Sequence, residues 1–304
     1  MDYQEILDRI YKEVQGKVNR GKVATYIPAL AEVDIQKFGM AVHTINGEDY
    51  QVGDAEEFFS IQSIAKVFTL TKAIQQHDEK VWKRVGKEPS GTAFNSLVQL
   101  EFESGIPRNP FMNAGALVIT DMITKTSGKM KKELIEFVRN LSGNKQISYD
   151  FEVAQSEEET GYRNVALANF IKSFHNLNNE PKTVLDVYYH QSAIQMSCVD
   201  LSRASIFLAN RGQSPFCKQQ VLTPRQTKRM NSILLTSGMY DAVGDFAYRV
   251  GLPGKSGVGG GIVAIIPGHL ALSVWSPGLN TSGNSHIGLK ALELFTTYTG
   301  ISVF

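Results

Sequence analysis

Strand patterns are confined to the two ends of the chain, and this arrangement constrains the fold more than any other feature. Residues 38–53, FGMAVHTINGEDYQVG, form two short runs that meet at Asn46-Gly47, a dipeptide typical of hairpin turns. Residues 259–275, GGGIVAIIPGHLALSVW, form two apolar runs separated by Pro267-Gly268. Because a lone two-stranded hairpin is barely stable in water, we predict that both hairpins share one antiparallel sheet.

The stretch between the two hairpins is mostly helical in pattern. It runs from about residue 67 to about residue 240 and is broken by prolines and glycines. Strand character is predicted to return near residues 246–252, FAYRVGL. Residues 285–300 and the first residues of the chain, with Ile6, Ile10 and Val14 on one face, are predicted to form amphipathic helices.

This order of elements predicts the α+β class, with an antiparallel sheet flanked by helices and joined to a helical lobe. We expect a single domain over residues 1–304. Its sheet subdomain is expected at approximately 1–60 and 241–304, and its helical subdomain at approximately 61–240. A cleft between the two subdomains is the natural place for a pocket.

The composition excludes several classes of partner. The chain has 31 Lys and Arg against 30 Asp and Glu, so no overall field attracts nucleic acid or an anionic membrane. Cys198 and Cys217 lack metal-ligand spacing and are expected to be reduced. Because the chain begins with an amphipathic helix rather than a secretory signal, and no apolar run approaches membrane-spanning length, we expect a cytoplasmic protein.

A serine and a lysine stand three positions apart in the apolar stretch FFSIQSIAKVF, residues 58–68. On a helix, Ser63 and Lys66 would lie on one face and close enough to touch. Burial disfavours the ammonium form, so a buried Lys66 could accept the proton of Ser63 and make it a nucleophile. The alternative is a surface helix with a solvated lysine.

The second candidate stretch is GLPGKSGVGGGIVAII, residues 251–266. A phosphate-binding P-loop would need glycine where Arg249 stands and a helix after Ser256, and a strand-like run follows instead. A dinucleotide fingerprint fails because its glycine spacing is wrong. The remaining interpretation is a Lys-Ser-Gly strand, at 255–257, that lines an active site as Lys-Thr-Gly does beside Ser-x-x-Lys in β-lactamases and penicillin-binding proteins.

Other catalytic and binding groups remain open at this level. The six histidines lie outside any nucleophile-elbow or metal spacing, although a Ser-His-Asp triad of distant residues is still possible. Paired carboxylates and His-Glu-x-x-His are absent. Four polar residues in apolar or glycine-rich contexts each have an ordinary structural explanation, as a helix cap, a solvated acid or core aromatics: Asn113, Glu157, Tyr188 and Tyr240.

Taken together, these stretches resemble the serine-dependent glutaminases of bacteria and animals. The resemblance runs through GKVATYIPAL, FSIQSIAKVF, GIPRNPFMNAGAL, SEEETGYRN, SGMYDAVGDFAYRVGLPGKSGVGGGI and WSPGLNTSGNS, in that order. It implies a β-lactamase/transpeptidase-like fold, hydrolysis of L-glutamine to L-glutamate and ammonia, and no cofactor or metal. It also implies a homodimer or homotetramer.

The resemblance also implies roles for individual residues. Ser63 would attack the side-chain amide, Lys66 would be the neighbouring base, and Tyr240 a second proton-transfer group. Lys255 joins the catalytic set as the lysine of the Lys-Ser-Gly strand. The backbone N–H groups of Ser63 and Val258 would form the oxyanion hole. The substrate contacts implied at matching positions are Tyr26, Ser63, Asn113, Glu157, Asn164, Tyr188, Tyr240 and Val258, with Glu157 reading the substrate ammonium.

Two departures and two rival functions accompany this hypothesis. The Ser-Asp-Asn element of β-lactamases is absent, and Tyr162 in the segment GYRN is a rival to Tyr240. One rival function is a β-lactamase-like amidase or esterase. The other is an inactive sensor that binds glutamine in the same pocket.

Overall fold

The computed structural model describes residues 1–91 and 97–304. Within these residues the main sheet is antiparallel and five-stranded, in the order β2-β1-β10-β9-β8. Its strands are β1 (Gly39–Thr44), β2 (Asp49–Gly53), β8 (Gly254–Ser256), β9 (Gly261–Ile266) and β10 (Leu270–Trp275). Strand β1 pairs with β10, from Gly39 opposite Trp275 to Thr44 opposite Leu270. The two hairpins therefore share one sheet, as predicted.

Both predicted hairpin turns are present. Gly47 joins β1 to β2 with a φ of +90°, and Gly268 joins β9 to β10 with a φ of +82°. A Cβ at either position would meet no atom within 4 Å. The glycines are therefore explained by the left-handed backbone of the turns and not by a lack of space.

The central strands are buried on both faces. Every residue of β1, β9 and β10 is buried, which explains why these strands read as nearly continuous apolar runs. Alternate side chains, such as Met40 and Val42, pack towards one core. The intervening Ala41 packs towards a second core, which extends into the helical part of the molecule.

Helices cover the sheet and build the rest of the molecule. Helices α1 and α13 contribute to the core on one face of the sheet, and α10 packs against β1 and β10 on the other. The helices are α1 (Tyr3–Val14), α2 (Pro28–Ala31), α3 (Ala65–His77), α4 (Leu97–Phe102), α5 (Asn113–Ile123), α6 (Ser127–Ser142), α7 (Phe151–Thr160), α8 (Tyr162–Ser173), α9 (Pro181–Ser192), α10 (Cys198–Ala209), α11 (Pro224–Ser237), α12 (Val243–Arg249) and α13 (His286–Thr299). None of the helices found in the described ranges is long and apolar enough to cross a membrane.

The predicted strand near FAYRVGL is wrong, because helix α12 occupies most of it. The segment is rich in aromatic and branched residues, which favour strands when local preference is considered alone. In the structure Phe246 alone of this helix is buried, whereas Tyr248 is 91% exposed. The burial of Phe246 and an ion pair between Asp245 and Arg249, four residues apart, are enough to stabilise a short surface helix.

Two small sheets of short strands were not predicted. Strands β3 (Phe59–Ser60), β4 (Ser148–Tyr149) and β5 (Ile194–Met196) form a second sheet in the order β3-β5-β4, and β6 (Gln213–Ser214) pairs with β7 (Gln219–Gln220). The second sheet matters for the site, because it holds the segment before Ser63 against the end of α9. The Ser60 hydroxyl donates to the Ser192 carbonyl at 2.9 Å, and Ile61 N–H donates to the Ile194 carbonyl.

Candidate active site

Ser63 lies in a tight turn between the second sheet and α3. The turn is a 3-10 helix over Gln62–Ile64, and Gln62 has a φ of +51°. A left-handed backbone at a side chain other than glycine costs about 1–3 kcal/mol, and such strain is typical of functional sites. Ser63 is partly exposed in a turn whose other residues are buried.

Strand β8 and the glycines after it press against this turn. A Cβ on Gly257 would lie 2.4 Å from the Ile61 carbonyl oxygen, and one on Gly259 would lie 2.2 Å from the Ser60 carbonyl oxygen. Such distances exclude any larger side chain without a backbone shift. Gly257 and Gly259 therefore allow the segment after β8 to pack closely against the turn that holds Ser63.

Lys66 is buried one helical turn beyond Ser63. Its side chain is 2% exposed, and its Nζ donates to Asn113 Oδ1 at 2.7 Å and to the Phe111 carbonyl at 3.3 Å. Burial lowers the pKa of Lys66 to about 7, although the charge of Glu157 acts in the opposite direction. A large fraction of this amine is therefore neutral at physiological pH.

The contacts of Lys66 refine the prediction made from Ser-x-x-Lys spacing. The hydrogen bonds of its amine go to Asn113 and Phe111 rather than to the Ser63 hydroxyl. Asn113 in turn donates from Nδ2 to Asn164 Oδ1 at 3.0 Å. The Asn113 side chain thus contacts Lys66 and Asn164 and does not cap α5. Instead, Asn109 Oδ1 accepts from the backbone N–H groups of Phe111 and Met112, just before that helix.

Of the two candidate tyrosines, Tyr240 is the one that contacts Ser63. Its buried hydroxyl interacts with the Ser63 side chain and with the backbone N–H of Val258. Burial raises the pKa of Tyr240, and these two hydrogen bonds oppose the rise without cancelling it. The φ of Tyr240 is +55°, a second strained backbone at the site. Tyr162, the rival tyrosine, is 80% exposed at the mouth of the cavity.

Lys255 is a second buried amine behind the site. Its Nζ donates to the carbonyls of Ser256 and Gly238 at 2.6 and 3.0 Å, and it lies 4.5 Å from the centroid of the Tyr240 ring. Burial, followed by the charge of Lys66, lowers the pKa of Lys255 well below its usual value. The Lys255 amine therefore packs against the Tyr240 ring, and its burial favours the neutral form.

A cavity of about 500 Å³ opens at Ser63. Seven of the predicted site residues line it: Tyr26, Ser63, Asn113, Glu157, Asn164, Tyr188 and Val258. Lys66, Tyr240 and Lys255 lie behind its wall. Within the described part of the chain, the six histidines lie outside this cavity, and no cluster of three or more His, Cys, Asp or Glu residues has a metal-binding arrangement.

Glu157 is the buried acid of the cavity. It is 8% exposed, whereas its neighbours Glu158 and Glu159 face solvent, so it is not part of a solvated acidic run. Burial raises the pKa of Glu157 to about 7, and the charge of Lys66 and a hydrogen bond from Gln62 oppose the rise. A buried carboxylate of this kind is well suited to pair with a ligand ammonium.

The charge of Glu157 also affects the pKa of two tyrosines in the cavity wall, Tyr188 and Tyr26. Burial and the charges of Glu157 and Tyr240 raise the pKa of Tyr188 far above its usual value. Burial, followed by the charges of Tyr240 and Glu157, also raises the pKa of Tyr26, although over half of the Tyr26 side chain is exposed. Both phenols therefore remain neutral hydrogen-bond donors at the cavity.

Sequence reasoning missed part of the cavity. Its additional lining residues are Ile27, Gln62, Thr160, Gly161, Arg163 and Ser192, together with Tyr162. Of these residues, Gln62 could most easily have been predicted from the sequence, because it directly precedes Ser63. Its Nε2 donates to Ser60 Oγ at 3.1 Å, and its side chain forms a hydrogen bond with Glu157. Arg163, which is exposed, also lines the cavity.

Comparisons with known proteins identify one family. The glutaminase family model matches residues 21–304. A glutaminase of Rhizobium etli (strain CIAT 652) is 55% identical over 305 residues, which cover 100% of this chain and 99% of the relative. A thermolabile glutaminase of another Rhizobium etli strain is 54% identical, again over 100% of this chain and 99% of the relative.

Solved structures show the same fold. The probable glutaminase ybaS has a TM-score of 0.94 at 34% identity and covers 99% of this chain and 97% of its own. A probable glutaminase from Bacillus subtilis, complexed with 6-diazo-5-oxo-L-norleucine, has a TM-score of 0.90 at 30% identity, over 100% of this chain and 98% of its own. The predicted α+β, serine β-lactamase-like fold is thus confirmed. With matches along nearly its whole length in both sequence and structure, the chain belongs to the glutaminase family of amidohydrolases.

Proposed function

We propose that this chain hydrolyses L-glutamine to L-glutamate and ammonia through a glutamyl ester on Ser63. The observation that carries the proposal is one cavity that brings three groups together. Ser63 and the buried acid Glu157 line it, and the buried amine of Lys66 lies behind its wall. The family membership supports glutamine as the substrate. The Bacillus subtilis neighbour is consistent with this substrate, because that probable glutaminase was solved in complex with the amino acid 6-diazo-5-oxo-L-norleucine.

In the acylation step, neutral Lys66 takes the Ser63 proton, either directly after its amine leaves Asn113 or through the Tyr240 hydroxyl that already contacts Ser63. Ser63 Oγ bonds to the amide carbon, and the backbone N–H groups of Ser63 and Val258 stabilise the oxyanion, once the Val258 N–H has turned from the Tyr240 hydroxyl to the substrate. Tyr240 protonates the departing nitrogen and regains a proton from Lys66 as the C–N bond breaks and ammonia leaves. Water then attacks the ester carbon, the bond to Ser63 Oγ breaks, the proton of the water passes through Lys66 and Tyr240 to Ser63 Oγ, and glutamate is released.

The α-groups of glutamine would be read at the remaining walls of the cavity. Glu157 pairs with the ammonium, as its burial and its hydrogen bond from Gln62 favour. Asn113, Asn164, Tyr188 and Tyr26 provide neutral polar groups for the carboxylate and the amide end. With the α-groups fixed, asparagine would place its amide one methylene short of Ser63 and should be a poor substrate.

The proposed function is tested by measuring ammonia release from glutamine and from asparagine, with a chromogenic β-lactam as a third substrate. We expect ammonia from glutamine, at least about a hundredfold less from asparagine because of the misplaced amide, and no turnover of the β-lactam. Turnover of the β-lactam without ammonia from glutamine would identify a β-lactamase-like enzyme instead.

Glu157→Gln is expected to reduce kcat/KM for glutamine by about a hundredfold, because the change leaves a buried ammonium without its charge partner. The loss should be much smaller for 4-carbamoylbutanoate, which lacks the α-amine. The matched control is Glu158→Gln, an exposed neighbour on α7 that should leave both reactions unchanged. Equal losses for glutamine and the deamino analogue would reject the ammonium contact.

Activity should fall as the pH decreases through about 7, because Lys66, with a pKa of about 7, becomes protonated and cannot accept the Ser63 proton. Protonation of Glu157 acts in the same direction on the free enzyme. Once glutamine is bound, its ammonium keeps Glu157 ionised, so the acidic limb of kcat reports Lys66. Rate profiles between pH 5 and 9 check this; a kcat that stays constant down to pH 5 would contradict a neutral-amine base.

We further propose, on the family resemblance, that the chain acts as one catalytic domain that assembles as a homodimer or homotetramer in the cytoplasm and needs no metal or cofactor. The sheet part, approximately 1–60 and 241–304, and the helical part, approximately 61–240, would each supply catalytic groups. Analytical ultracentrifugation tests the assembly, and activity after exhaustive chelation tests the metal requirement.

A further inference from the structure

The catalytic cavity buries one acid and one amine that do not bond to each other. Glu157 is 8% exposed and lines the cavity, and Lys66 is 2% exposed behind its wall. The Lys66 amine donates to two neutral acceptors, Asn113 Oδ1 and the Phe111 carbonyl, rather than to a carboxylate. The charge of Glu157 therefore acts on Lys66 through space, in a site from which most water is excluded.

The other titratable groups around Lys66 favour their neutral forms. Among the described residues, the buried titratable groups at this end of the cavity are Glu157 on α7, Tyr188 on α9, Tyr240 before α12 and Lys255 on β8. The Tyr188 ring centroid lies 5.8 Å from the Lys66 amine. Burial raises the pKa of both phenols and lowers that of Lys255. Within this set, Glu157 is therefore the group that can carry a negative charge near neutral pH.

Glu157 and Lys66 bias each other towards their charged forms. The carboxylate opposes the effect of burial on the amine, and the ammonium opposes the effect of burial on the acid, so that the pKa of each is about 7. While Glu157 is ionised and has no cationic partner, it favours the protonated form of Lys66. In that form Lys66 cannot accept the Ser63 proton.

A bound α-amino acid changes this balance. Its ammonium, paired with Glu157, cancels the negative charge that favours protonated Lys66. The ammonium also adds a positive charge to the cavity, which acts on the amine in the same direction. An amide without the α-amine would bind beside the same Ser63 but would leave Glu157 without a cationic partner.

We propose that the α-ammonium of the substrate takes part in activating Lys66, because it neutralises Glu157, the carboxylate that otherwise favours the protonated amine. The base is then completed only when an α-amino acid is bound. This inference rests on the proposed function and deepens it, because it gives Glu157 a part in proton transfer as well as in binding. Selection for α-amino amides should therefore appear in kcat and not only in KM.

The proton balance of this step is simple. When glutamine binds near neutral pH, the Lys66–Glu157 pair loses the proton that it held, and that proton passes to solvent. Neutral Lys66 then takes the Ser63 proton as Ser63 Oγ bonds to the amide carbon. No further reactant is required, and the pair recovers its proton from solvent when glutamate leaves.

The first test compares the pH dependence of kcat for two substrates of the wild-type enzyme. Glutamine carries the α-ammonium, whereas 4-carbamoylbutanoate keeps the carboxylate and the amide and lacks the amine. We expect the acidic limb of kcat to lie at least about one pH unit higher for 4-carbamoylbutanoate than for glutamine. If Glu157 served only to bind the ammonium, KM would differ between the substrates and the two acidic limbs would coincide.

The second test uses Glu157→Gln, which removes the carboxylate and keeps a side chain of similar size. For 4-carbamoylbutanoate, kcat at pH 6 should rise about fivefold above the wild-type value, because Lys66 loses the charge that favours its protonation. At pH 9, where the amine is neutral in both proteins, kcat should agree within about twofold. Glu158→Gln, at an exposed position on the same helix, is the matched control and should follow the wild type at both pH values.

The inference is overturned if the acidic limbs for the two substrates coincide in the wild-type enzyme. It is also overturned if folded Glu157→Gln shows no increase at pH 6; if that variant does not fold, the wild-type comparison decides. Should 4-carbamoylbutanoate react too slowly to follow, phosphonylation of Ser63 by fluorophosphonates with and without the α-amine provides the same two pH profiles. Wild-type protein that releases no ammonia from glutamine would overturn the proposed function itself, which is a separate outcome.

Discussion

Replacing Ser63 by alanine is expected to reduce glutamine hydrolysis by at least about ten-thousandfold, because the variant has no atom that can form the glutamyl ester. The fold should survive. Ser63 is partly exposed at the cavity, and its removal leaves the buried residues of the turn, Gln62 and Ile64, in place. Ammonia release measures the activity, and a thermal melt measures the stability.

Ser192→Ala is a suitable control for this variant. Ser192 lines the same cavity, but its hydroxyl donates to the Tyr188 carbonyl within α9 and has no role in the proposed reaction. A Ser63→Ala protein that melts normally and retains more than about a hundredth of wild-type activity would refute covalent catalysis by Ser63.

Lys66→Met should lower kcat nearly as far, by about a thousandfold or more, because methionine keeps most of the apolar stem and removes the only proposed base for Ser63. Methionine is preferable to alanine here. The Lys66 side chain is fully buried, and truncation to alanine would leave a cavity that itself destabilises the protein. Loss of the amine also leaves Asn113 Oδ1 without its donor, so a modest fall in melting temperature is expected.

Lys72→Met provides the matched control, since Lys72 lies on the same helix, α3, outside the cavity at Ser63. If Ser63 and Lys66 act as one unit, the double variant should be no less active than Ser63→Ala alone. Activity of Lys66→Met close to that of Lys72→Met would remove Lys66 from the mechanism.

The ends of the chain were predictable because the deciding information is local. Asn46-Gly47 and Pro267-Gly268 mark their hairpins by backbone preference alone. That both hairpins share one sheet follows from the instability of a lone hairpin. The failure at α12 has the opposite cause, because one buried anchor, Phe246, outweighs the strand preference of its neighbours. Strands as short as β3 carry no periodic signal at all.

Only part of the site could be predicted from residue patterns. Ser63 and Lys66 are close along the chain, so helical spacing brought them together. Glu157 and Tyr188 lie on different helices, and their burial comes from tertiary packing that no local pattern encodes. Family resemblance identified them as candidates, and the structure then placed both in the wall of the Ser63 cavity.

The details of hydrogen bonding were beyond both kinds of prediction. The Lys66 amine bonds Asn113, and the Ser63 side chain interacts with Tyr240. These contacts depend on side-chain positions contributed by α5 and by the segment before α12. These contacts also define the proposed proton-transfer groups in more detail than the Ser-x-x-Lys spacing alone does.

Activation of Ser63 by the buried amine can be measured without substrate turnover. A fluorophosphonate that carries the α-amino acid group of glutamate should phosphonylate Ser63, with loss of fluoride, and mass spectrometry of the proteolysed enzyme locates the label. The predicted result is time-dependent labelling of Ser63 in wild-type enzyme, slowed by about a thousandfold in Lys66→Met. Equal labelling rates in the two proteins, or a label on another residue of an inactivated enzyme, would contradict the account.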